Sequence, residues 1–155
     1  MIRILFCFFA FLSTACKSGT VYINSNKIIE QYHGATGKKQ AFMNQVKTWQ
    51  ANVDSLMAEV QALKGTQAAA KEQQLLQYRE AIQQKAQAEE ARVSQEILTE
   101  INAYIKQYGK EKGYDFILGA TDNGNIVYAA ESKDITEEVL AGLNKQYDQQ
   151  HAAGK

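Results

Sequence analysis

Phe42, Val46, Trp49, Val53, Leu56, Val60 and Leu63 follow one another at steps of 4, 3, 4, 3, 4 and 3 residues. An apolar repeat of three and a half residues, held for three heptads, marks a helix packed along another helix. Gly65-Thr66 interrupts the run, with Gly suited to a helix C-cap and Thr to the N-cap of a second helix. The next stretch, Gln67 to Lys112, contains no proline and predicts that helix to be about 70 Å long at 1.5 Å per residue. Its apolar seam is Leu75, Tyr78, Ile82, Ala86, Val93, Ile97, Ile101, Tyr104 and Tyr108, and the 4, 4, 3 steps near its middle should slacken the supercoil there. Folding the chain back about Gly65 sets Leu56 against Leu75, Val53 against Tyr78, and Trp49 against Ile82 and Ala86. Val46 then also meets Ala86, Phe42 reaches toward Val93, and Ile97 to Tyr104 falls opposite Ile28, Ile29 and Tyr32. The sequence therefore predicts an antiparallel helical hairpin, an arm with its tip near 65–66. Ala and Gln fill many seam positions, so the tip should be mobile.

Both ends of that arm read differently. Thr20 to Asn24, "TVYIN", alternates like a short strand, and "NKIIEQYHG" gives a helical spacing that ends near Gly34 or Gly37. After Gly113 the period falls to two: "YDFILG" sends Phe116 and Leu118 one way and Ile117 the other. "TDNGN" is turn chemistry and "NIVYAA" alternates again, which predicts a β-hairpin. Asp134, three residues before Glu137, resembles a capping box for a helix carrying Ile135, Val139, Leu140, Leu143 and Tyr147 on one side. The expected class is α+β, with a long helical hairpin on a small β body. Residues 16–36 would supply the first strand and the start of the arm, 37–112 the arm, and 113–155 the hairpin and last helix. A sheet of about three strands has poorly protected edges, and several chains closing their sheets together would remove them.

Met1-Ile2-Arg3, the apolar run Ile4 to Leu12 and the small residues Ser13-Thr14-Ala15 read as a signal peptide over 1–15, too short to span a bilayer of roughly 30 Å. Cys7 leaves with it, so Cys16 has no pairing cysteine in the mature chain. The Ala15-Cys16 junction resembles a bacterial lipoprotein signal, which would place a lipid on Cys16. Ser13 stands at a position usually aliphatic, so ordinary cleavage before Cys16 stays open. With 17 Lys+Arg against 17 Asp+Glu, the chain lacks the basic footprint of a nucleic-acid binder. Neither His33 nor His151 has metal ligands at a suitable spacing, and both read as surface residues. "GATGKK" has two residues between its glycines where a phosphate loop needs four, and "DNGN" lacks the downstream acids of a calcium loop. No catalytic constellation is present, and no enzyme activity or cofactor is expected.

"VYINSNKIIEQ", the heptad arm, "GYDFILG", "GNIVYAAESKDITEEVLAGLN" and the export signal together resemble the Skp/OmpH-type periplasmic chaperones, over essentially the whole mature chain. The resemblance implies a jellyfish-shaped trimer with a shared β-barrel body and three arms around a cavity. It implies an ATP-independent holdase that keeps unfolded outer-membrane β-barrel proteins from aggregating in the periplasm. This chain is neutral where some members are strongly basic. Val21, Ile23, Phe116, Leu118, Ile126 and Tyr128 are the apolar candidates for the trimer body. Met43, Met57 and Leu76 fall off the seam, and flexible side chains there suit promiscuous client contact. The competing reading is a membrane-tethered coiled-coil adaptor with one specific partner.

Overall fold

The computed structural model describes residues 19–121 and 123–152. The signal-peptide and Cys16 expectations lie outside them.

Strand β1 spans Thr20–Asn24 and leads without a loop into helix α1, Ser25–Gln31, whose N-cap Asn24 accepts from the Lys27 amide. Helix α2 (His33–Ala62) and helix α3 (Thr66–Lys112) form the arm, and β2 (Phe116–Ala120) comes next. A short 3-10 turn at Glu131–Lys133 precedes helix α4, Thr136–Ala152. Strands β1 and β2 pair in parallel, with Val21 beside Ile117 and Ile23 beside Gly119. Parallel neighbours need a long crossover, and here the crossover is the arm itself. A helical stalk that starts and ends in sheet is thereby explained.

The hairpin turns at Gly65, whose φ of 65° suits a residue without Cβ. Gly65, not Thr66, is the N-cap of α3; Thr66 is its first helical residue. At the other end Gly113 is left-handed, and the Tyr114 amide reaches back to the Gly109 carbonyl at 3.0 Å. That closes α3 with a Schellman-type cap, where Lys110 and Lys112 also suit the negative end of the helix dipole.

The core lies at the arm's root. Val21, Ile23, Ile28, Tyr32, Val93, Ile97, Ile101, Tyr108, Ile135, Val139, Leu140 and Leu143 are all buried in one cluster. The last strand expected from the sequence does not form: the described sheet has two strands, and residues 125–130 run as turn and coil. The Asn125 side chain supplies the reason. It accepts from the Thr121 amide at 2.8 Å and donates to the Gly119 carbonyl at 2.6 Å. Side-chain bonds thus occupy backbone groups that a returning strand would have used. The capping box is also replaced. Asp134 accepts from the Thr136 amide at 2.8 Å, while Glu137 reaches sideways to Lys27.

Helix α2 begins earlier than the glycines suggested, at His33, and carries Gly34 and Gly37 within it. Gly34 is needed there, because an added methyl would strike the ring of Tyr32, itself buried and bonded to Glu100 at 3.0 Å. Replacing Gly34 with Ala should lower stability by about 1–2 kcal/mol, overpacking outweighing the better helix propensity. Chemical denaturation monitored by circular dichroism checks this; a stabilised variant would show that the Tyr32 ring moves aside at little cost.

Candidate functional site

The arm's seam is sparsely buried above the core. Trp49, Val53 and Leu75 are buried, while Leu56, Val60, Tyr78, Ile82 and Ala86 are half-covered. Partners across it keep the expected register: Asn52 donates to the Tyr78 hydroxyl at 3.1 Å, and Lys71 pairs with Glu59. Lys85 sits 5.4 Å over the Trp49 ring, a cation–π contact that covers the indole from the solvent side. Lys38 binds Glu100 at 3.1 Å and Glu96 at 3.3 Å, and Arg92 bridges Glu89 and Glu96 along α3.

These pairs tune the carboxylates. Hydrogen bonding to Lys38 holds Glu96 below the usual carboxylate range, and Arg92 does the same to Glu89. A depressed acid contributes stability above its unfolded pKa and loses it as pH falls through the folded value. Both glutamates are partly exposed, so solvent screens part of the contribution. At the root, burial and then the bond to Glu100 push the Tyr32 hydroxyl above its ordinary value, so it stays protonated and donates.

The three off-seam candidates have different surroundings. Met43 is 53% exposed and Leu76 is 59% exposed. Met57 is half-buried, and its sulfur accepts from the Arg79 guanidinium at 3.1 Å, so it is partly engaged by the arm itself. Two further apolar side chains lie open that the spacing did not single out: Val46, placed in the seam by periodicity, and Leu98, one residue past the buried Ile97. A shallow groove of about 270 Å³ lies beside Met43, floored by Phe42, Val93 and Ile97 and rimmed by Lys39 and Glu90.

The body candidates divide by the pleat. Val21 and Ile23 are buried in the protomer's own core, on the same sheet face as Ile117. Phe116 and Leu118 share the opposite face and are 63% and 43% exposed. Ile126 is half-buried, whereas Val127 and Tyr128 are almost wholly exposed. None of the described helices is long and apolar enough to cross a membrane.

A family model described as outer membrane protein (OmpH-like) matches residues 19–143. The chain belongs to the OmpH-like family. The fold agrees: a crystal structure of an OmpH-like outer membrane chaperone from Caulobacter crescentus CB15 superposes with a TM-score of 0.52 at 16% identity, over 83% of this chain and 85% of that one. At that identity the likeness carries the fold alone. No curated protein matches the chain. In this OmpH-like chain the large apolar side chains left open among the described residues lie on the arm, on the outward face of the sheet and in the segment that follows it.

Proposed function

We propose that this OmpH-like protein is an ATP-independent holding chaperone of the periplasm, and that it binds unfolded outer-membrane β-barrel proteins and prevents their aggregation. The observation that carries this reading is the open arm. It projects from the core as two long helices, keeps few side chains in its seam, and exposes Met43, Val46, Leu76 and Leu98. Separate flexible apolar contacts on a polar helix bind many sequences weakly, as a holdase requires. A homotrimer would multiply them: three arms around one cavity raise the effective concentration of contacts for a confined chain. The apolar face of Phe116 and Leu118, with Val127 and Tyr128 beyond it, would be the material of the shared body. No step in this mechanism needs a cofactor or a reactive side chain.

Light scattering of a denatured outer-membrane barrel diluted into buffer tests the reading. The protein should suppress aggregation near one trimer per client, without nucleotide. Binding of a single folded partner with no suppression would favour the coiled-coil adaptor instead.

The reading also covers the N-terminus, where acylation of Cys16 would tether the chaperone to a membrane facing the periplasm. Mass spectrometry of the mature N-terminus should show a lipid-modified Cys16. A free thiol on that residue would exclude the tether and leave the arms' role untouched.

A further inference from the structure

The break between α1 and α2 has no proline, and Tyr32 at its centre has φ −71° and ψ 122°. Breaking a helix strands a carbonyl on one side and an amide on the other, and both need partners. The Tyr32 side chain caps neither. The partners come from α4, more than a hundred residues away. Asn144 Oδ1 accepts from the His33 amide at 2.8 Å, and Asn144 Nδ2 donates to the Gln31 carbonyl at 3.0 Å. The orientation of the carboxamide is fixed by chemistry, since the amide can only donate and the carbonyl can only accept.

The surrounding contacts repeat the pattern. His33 Nδ1 meets both oxygens of Asp148, at 2.9 and 3.2 Å. The Tyr147 ring stands edge-on to Tyr32 with centroids 5.6 Å apart, and its hydroxyl lies against Gly37. Asn144, Tyr147 and Asp148 are one turn apart on α4, while Val139, Leu140 and Leu143 face the core. One stripe of α4 is therefore committed to the arm's root and another to the body's interior. Across the seam α3 runs unbroken for 47 residues, so the break at this level belongs to the α1–α2 side alone.

We propose that Asn144 is a positioning residue, a latch that closes the α1–α2 break and fixes the angle at which α2 leaves the body. With the root latched, adaptation to clients of different size is confined to the sparsely packed part of the arm, from Ala86 to the tip. This rests on the reading of the arm as the client-holding element.

The test uses the full mature chain with Cys16→Ser and spin labels on cysteines replacing Lys47 in the arm and Ser132 in the body. Labelled chain is diluted into unlabelled chain so that each distance is internal to one protomer. Asn144→Ala should broaden the 47–132 distance distribution and speed hydrogen exchange of the His33 amide by roughly tenfold, while the exchange of Ile97 and Ile101 stays unchanged. Asn144→Asp keeps the acceptor for His33 but loses the donor to Gln31. It should restore slow exchange at His33 and only part of the distance order, an intermediate result that a general packing defect would not give. An unchanged distribution in Asn144→Ala, or equal loss in both variants, overturns the latch. If the distances broaden and aggregation is still suppressed as well as by the parent, the latch stands and the holding role of the arm falls.

Discussion

A variant with shortened arms should remain assembled and lose nearly all of its ability to keep an unfolded barrel soluble. Asn52 faces Tyr78 across the seam, so cuts at these two points remove matched lengths of both helices. Deleting Val53 to Ala62 from α2 and Ala68 to Gln77 from α3, with Leu63 to Gln67 kept as the turn, shortens both helices equally, by roughly 15 Å at 1.5 Å per residue. The core cluster loses none of its members, since it begins at the root with Val93, Ile97 and Ile101. Weak contacts spread over a cavity depend on confinement, and a shallower cavity releases its chain sooner. Exchanging Met43, Met57 and Leu76 for Ser should cost much less. Met57 is already engaged by Arg79, and Val46 and Leu98 remain open. Light scattering during dilution of a denatured barrel measures both. A shortened chain that protects as well as the parent would sink the cavity mechanism.

The arm was legible because its signals are local. A heptad spacing and Gly65 specify a hairpin and its register with no knowledge of the body, and the Asn52–Tyr78 and Lys71–Glu59 contacts obey that register. Strand β1 was equally plain, since "TVYIN" alternates and its ends at Thr20 and Asn24 are sharp. The break at Tyr32 was not legible. The backbone groups it frees are met by Asn144, an ordinary-looking helical asparagine whose partners lie 111 and 113 positions earlier. His33 is exposed, as expected from the sequence, but only the fold brings Asp148 to it. The expected last strand fails on a local competition that alternation cannot reveal: the Asn125 carboxamide takes the Thr121 amide and the Gly119 carbonyl. Among the off-seam candidates, spacing identified residues outside the seam but could not tell that Arg79 would reach Met57.

Leu118→Asp should leave each chain folded and take the assembly apart. In the parallel register Leu118 stands beside Tyr22 on the outward face, and Ile117 stands beside Val21 on the core face. Leu118 is 43% exposed, so a carboxylate there meets water in a lone chain and costs the fold little. In an assembly that closes its sheets on this face, the same carboxylate is buried without a partner. Such a charge costs about 3–5 kcal/mol at each site, enough to dissociate a small symmetric oligomer at micromolar concentration. Ile117→Asp is the control. Its side chain packs closely against Gly109, so a charge at that position enters the protomer's own core and should unfold it. Sedimentation velocity and circular dichroism separate the cases: trimer with full helicity for the parent, monomer with full helicity for Leu118→Asp, and lost helicity for Ile117→Asp. A parent chain that sediments as a folded monomer, or a Leu118→Asp variant that stays trimeric, would show that this face is not where the chains meet. The exposure of Phe116, Val127 and Tyr128 would then require a different occupant.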